Sequence, residues 1–102
     1  MKWIEVIELR TATGKRESLD LYLNSLVEDV NRESNKMVIN IFSHVAIDCD
    51  YMIQIHHQSP QTEINGSDLG LRLVQVLKDY GLVNHSVWVE WFNKQENKMS
   101  KS

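Results

Sequence analysis

The chain has 102 residues, 42% hydrophobic and 25% charged, with a formal net charge of -3. This suits one ordinary globular domain with room for a core, expected over residues 1–92. No apolar run nears the roughly 18–20 residues of a membrane span, no apolar leader follows Met1, and one cysteine, Cys49, excludes an internal disulfide framework or a multi-thiolate metal site.

Residues 3–10 are rich in Ile, Val and Leu and read as a strand. Residues 11–15 form a loop broken by Gly14. Ser18 is the expected N-cap of a first helix, with Asp20 in its first turn, and Leu19, Leu23, Leu26, Val27 and Val30 recur at helical spacing. Residues 37–46 are a second strand, 47–50 a hairpin connection, and 51–57 a third strand with Ile53 and Ile55. A polar loop with Pro60 follows. Ser67 caps a second helix striped by Leu69, Leu73, Val76, Leu77 and Tyr80. Gly81 suits the left-handed position just past its end, with Leu82 folding back onto Leu77. Residues 86–92 are a fourth strand. Residues 93–102 hold one apolar residue, and a disordered polar tail is expected there.

The order strand, helix, strand, strand, helix, strand is the split βαβ, ferredoxin-like pattern of an α+β domain. Right-handed crossovers put the first and third strands at the centre of a four-stranded antiparallel sheet, with both helices on one face. Strand alternation assigns Trp3, Glu5, Ile7, Leu9, Ile39, Ile41, Tyr51, Ile53, Ile55, His57, Val87, Val89 and Trp91 to the helix side. The other face holds Ile4, Val6, Phe42, Met52, Trp88 and Phe92 among Glu8, Arg10, Asn40, His44, Gln54, His56 and Glu90. So much exposed apolar surface marks an interface, and a sheet-to-sheet homodimer would cover it. Antiparallel order brings Trp3, Glu5, Met37, His57 and Trp91 to one end of the helix-side layer. An apolar mouth with a few polar groups is how small-ligand sites are built.

This order of elements over residues 3–92, opening with Ile4-Glu5-Val6-Ile7-Glu8-Leu9-Arg10 and Gly14-Lys15, resembles the dimeric α/β-barrel superfamily. The branch it most resembles is that of the antibiotic-biosynthesis monooxygenases. The resemblance implies a sheet-to-sheet dimer with a ligand pocket between sheet and helices in each subunit. It also sets departures in relief. Family members commonly carry a Trp soon after the third strand and a His in the segment that follows, and residues 58–80 contain neither. The haem-degrading branch uses a His on the second helix, and residues 69–80 offer none. No haem, metal or other cofactor is therefore expected.

Within the helix-side mouth, Glu5 and His57 are the candidate catalytic pair, because a carboxylate beside an imidazole can take a proton from an acidic phenol or enol. Trp3, Met37 and Trp91 are the candidate ligand-binding residues. The plainer reading is a rim salt bridge beside ordinary core. His44 and His56 share the open face but lack a third ligand at recognised spacing, and adjacent His56 and His57 point to opposite faces. Turn chemistry accounts for Asp48 and Asp50 around Cys49. There is no Gly-rich phosphate loop and no nucleophile elbow. Mild acidity, with Glu8 and Glu90 on the open face, speaks against nucleic acid. The reading is a cytoplasmic homodimer without membrane or nucleic-acid partners, binding a small aromatic or apolar molecule and possessing a cofactor-independent, monooxygenase-like acid–base site. The alternative is a non-enzymatic regulatory or partner-binding dimer of the same fold. An open cavity at Trp3, Glu5, His57 and Trp91 favours the first, and a filled core there favours the second.

Overall fold

The computed structural model describes residues 2–12, 14–33, 37–59 and 61–91. The tail expected to be disordered lies outside these residues, as does Phe92. The elements are β1 (Trp3–Thr11), α1 (Arg16–Glu33), β2 (Met37–Ser43), β3 (Asp50–His57), α2 (Asp68–Leu77) and β4 (Gly81–Val89). The strands form one antiparallel sheet in the order β2-β3-β1-β4, the ferredoxin-like arrangement. Glu5 on β1 pairs with Ile55 of β3 on one side and Val87 of β4 on the other, so all three side chains share the helix face.

That face is the core. Ile7, Leu9, Ile39, Tyr51, Ile53 and Ile55 from the sheet are buried against Leu19 and Leu23 of α1 and Leu73 and Leu77 of α2. Each such aliphatic side chain contributes about 1.5–3 kcal/mol by leaving water, which holds both helices on this side. Among the described residues, no helix is long and apolar enough to cross a membrane.

Several local expectations are corrected. Ser18 is not the N-cap of α1: the helix starts at Arg16, and the Ser18 hydroxyl lies within it, donating to the Lys15 carbonyl at 3.3 Å. The first-turn acidic residue is accordingly Glu17, not Asp20. β2 ends at Ser43 because the next residues turn around an imidazole. His44 Nδ1 accepts the amide N–H groups of Ala46 and Ile47 at 3.0 and 3.1 Å. Finally, α2 stops at Leu77, and β4 runs over Gly81–Val89 rather than 86–92. Gly81 has no positive φ and opens β4 instead of closing α2. It lies so close to β1 that an added Cβ would stand 1.9 Å from the Arg10 carbonyl oxygen. Leu82 is 76% exposed and does not fold back onto Leu77.

Candidate functional site

β1 carries one acidic residue into an otherwise aliphatic layer. Glu5 is 0% exposed, and burying a carboxylate without partners would be prohibitive. Four donors from three elements meet it. His57 at the end of β3 places Nε2 2.6 Å from Oε2, and His85 on β4 places Nε2 2.9 Å from Oε1. Ser67, before α2, gives its hydroxyl to Oε2 at 2.5 Å and its backbone N–H to Oε1 at 3.0 Å. Ser67 is also the N-cap of α2, its Oγ accepting the Gly70 N–H at 3.1 Å. The hydroxyl therefore accepts from the helix and donates to the carboxylate. The positive end of the α2 dipole faces the same group.

The donor inventory fixes more than stability. An ionised carboxylate only accepts, and its four lone-pair positions are all occupied here. Each imidazole must then carry its proton on Nε2, so that in a neutral ring Nδ1 is the acceptor. This tautomer is assigned from the hydrogen-bond network. In that tautomer the other ring nitrogen of His57, Nδ1, is the one not bonded to Glu5.

Two glycines make room for the carboxylate. Gly66 has φ +101°, a left-handed conformation unfavourable to other residues, and a Cβ there would meet His85 Cε1 at 2.4 Å. A Cβ on Gly70 would lie 1.9 Å from Glu5 Oε1. The start of α2 is seated directly on Glu5.

Trp3 lies two residues before Glu5 on the same face, opposite His57 in register. Its indole stacks on the His57 imidazole, with centroids 3.9 Å apart and planes 13° apart. Met37 is paired with His57 from β2 and is half-buried against the core. Trp3, Glu5, His57 and Met37 thus come together. Trp91 does not join them. β4 ends at Val89, the register partner of Trp3, and Trp91 lies two residues farther on, 80% exposed. Nor does the expected mouth stand open: Trp3, Glu5 and His57 are 2%, 0% and 5% exposed, a filled end.

His85 and the second role of Ser67 were not foreseen. Extending the alternation of Val87 and Val89 back by one step would have found His85, but the fourth strand was started too late. Ser67 was legible as a cap from its local sequence. Its bond to a residue 62 positions away carried no local signal.

The open face carries Val38, Phe42, Leu82 and Trp88 at 48%, 50%, 76% and 59% exposure, beside half-buried Ile4, Val6 and Met52. A groove of about 410 Å³ at one end of it is lined by residues including Arg10, Phe42, His44, Met52 and Leu82. His56 is bonded to Gln54 at 3.1 Å, and His44 is engaged in its turn. Among the described residues, no three His, Cys, Asp or Glu side chains are arranged to hold a metal ion.

No family model and no curated protein matches the chain. Among solved structures, that of Rv0793 from Mycobacterium tuberculosis is similar, with a TM-score of 0.68 and 11% sequence identity over 92% of this chain and 99% of that one. At this identity the likeness shows the fold alone.

Proposed function

We propose that the chain is a small-molecule-binding protein of the dimeric α/β-barrel type, in which Glu5 and His57 form an acid–base pair for an aromatic or apolar ligand with an acidic hydroxyl. The observation that carries this is the 2.6 Å bond from His57 Nε2 to a Glu5 carboxylate saturated by three further donors. A buried ionic cluster is poor value for stability alone, since well-packed apolar residues of similar volume often serve as well or better. Here Glu5, His57, Ser67 and His85 interrupt a core otherwise built mainly from Ile and Leu, with Trp3 and Tyr51. Such breaks in an otherwise consistent design are expected at functional sites. The reaction step is the transfer of a hydroxyl proton to His57 Nδ1, with Glu5 holding the ring and facing the imidazolium that forms. The element order, which resembles that of cofactor-independent monooxygenases, supports an aromatic substrate. The sheet-to-sheet homodimer belongs to the same proposal and is supported by the exposed apolar open face.

The closed end favours the second reading, a non-enzymatic partner-binding dimer whose Glu5 cluster is a structural clamp. One titration separates the two. A planar quinol should quench tryptophan fluorescence saturably by stacking near Trp3, with a pH dependence that vanishes in His57→Ala. Absence of saturable quenching at every pH supports the second reading. A pH profile unchanged in His57→Ala removes the acid–base role.

A further inference from the structure

β2 is one edge of the sheet, and its hydrogen bonds show which backbone groups face outward. Just past its end, the His44 N–H donates to the Asp50 carbonyl of β3 at 2.9 Å. Backbone groups alternate along an antiparallel strand, so Ile39, Ile41 and Ser43 turn theirs away from β3. The Ile39 N–H accordingly donates out of the sheet, to Oδ1 of Asn31 on α1 at 3.3 Å. Among the described residues no strand pairs with this edge. Beside it, between β2 and α1, lies a groove of about 660 Å³, lined in part by Leu23, Val27, Ile39 and Ile41 together with Asp20 and Glu28. The cations nearest on α1 are engaged elsewhere: Arg32 bonds Asp29 at 2.8 Å, and Arg16 lies 3.2 Å from Asp48 but 4.0 Å from Asp20. The groove thus combines apolar walls with two carboxylates.

We propose that this edge and groove bind an extended cationic segment of a partner protein, which adds a strand antiparallel to β2. The surface is separate from both the open face and the Glu5 cluster. The partner residue facing Ile41 accepts the Ile41 N–H and donates to the Ile41 carbonyl, as in any hydrogen-bonded antiparallel pair. Its side chain lies on the same face as that of Ile41, toward the groove, and an apolar residue suits it. The carboxylates set its neighbours. Asp20 and Glu28 are eight residues apart on α1, about 12 Å along the helix axis. Strand residues four apart share a face at a spacing of about 13 Å. Asp20 accepts the hydroxyl of Tyr51, the register partner of Ser43, so it marks the far end of β2. An antiparallel segment therefore brings a Lys or Arg two residues before the apolar one to Asp20, and another two residues after it to Glu28. The chain's own Lys94 and Lys98 have this spacing, but Glu96 stands where the apolar residue belongs.

The test follows the fluorescence anisotropy of a labelled peptide, Ser-Thr-Lys-Thr-Ile-Thr-Lys-Thr-Ser, titrated with the full chain at low salt. Its Thr and Ile residues favour the extended form. Saturable binding is expected. Methylating the backbone nitrogen of the peptide Ile removes the bond to the Ile41 carbonyl and should weaken binding about tenfold or more. Methylating the Thr that follows, whose N–H points away from β2, should cost far less. Glu28→Lys, at an exposed position, should weaken binding about fivefold or more. A peptide with Glu in place of its second Lys should recover binding to Glu28→Lys, and one with Glu in place of its first Lys should recover less, because that residue faces Asp20. Absence of saturable binding, binding indifferent to methylation at the Ile, or equal recovery by the two Glu peptides overturns the proposal.

Discussion

At Gly70 two residue-scale effects oppose each other. Inside a helix Ala is favoured over Gly by about 0.8–1.0 kcal/mol, so propensity alone recommends Gly70→Ala. Sterics oppose it, because the new Cβ would stand 1.9 Å from Glu5 Oε1. Glu5 cannot retreat without stretching its bonds to Ser67 N and His85 Nε2. Overpacking costs about 1–3 kcal/mol, and the strained carboxylate adds to it. Urea unfolding should therefore show Gly70→Ala less stable by at least about 1 kcal/mol, and a stabilised variant would mean that Glu5 is not where it is described. Ser67→Ala removes the N-cap and one donor to a buried carboxylate together. A loss of about 2–4 kcal/mol is expected by the same measurement, more than the roughly 1 kcal/mol of an ordinary cap. At this scale strand parity was enough to place Glu5, His57 and Trp3 on one face. Glu5 and His57 are 52 positions apart, and parity speaks of faces, not of bond lengths.

At the scale of elements, what was legible followed from periodicity, and what was missed followed from contacts distant in sequence. The strand pattern and the helical stripes could be read, except that Tyr80 lies beyond the end of α2 at Leu77 and Val76 is exposed. The start of β4 could not, because Gly81 is required by the approach of β1, which no window around residue 81 reveals. The end of β2 depends on an imidazole accepting two turn amides, a choice His44 makes in three dimensions. One inter-element contact gives a pH prediction. Arg10 on β1 holds Asp50 at the start of β3 by two hydrogen bonds, at 2.9 and 3.1 Å. Hydrogen bonding to this guanidinium, aided by its charge, lowers the Asp50 pKa below its ordinary value. A carboxylate whose folded pKa is depressed contributes stability that is present above its unfolded pKa and lost as pH falls through the folded one. The thermal midpoint of the wild type should therefore exceed that of Asp50→Asn near neutrality, and the two should converge as pH falls below about 4. A difference that persists unchanged into acid would show that the carboxylate charge is not what matters. Salt should shrink the gap, since the pair is solvent-exposed.

For the whole molecule, topology follows from element order and handedness, and the sheet order β2-β3-β1-β4 agrees with it. The apolar open face was also legible, since alternation sorts Ile4, Val6, Phe42, Met52 and Trp88 from the core set. Val38 and Leu82 enlarge it, the latter because β4 starts earlier than its sequence suggested. Whether the helix-side end was open or filled could not be read, because it depends on how α2 seats on Glu5. Light scattering at micromolar concentration should give twice the chain mass. Trp88→Glu, at the register position opposite Ile4, should shift the mass toward the monomer. A wild-type monomer whose solubility and stability are indifferent to Trp88→Glu would remove the dimer from the account.

The central claim is that Glu5 fixes His57 with its proton on Nε2 and its basic nitrogen at Nδ1. Histidine side-chain ¹⁵N spectra read this directly, without ligand or turnover, because protonated and unprotonated ring nitrogens resonate far apart. In the neutral ring of His57, Nε2 should appear as the N–H and Nδ1 as the bare nitrogen, and Glu5→Gln should disturb that pattern. A His57 protonated on Nδ1, or one whose tautomer is indifferent to Glu5→Gln, would contradict the account.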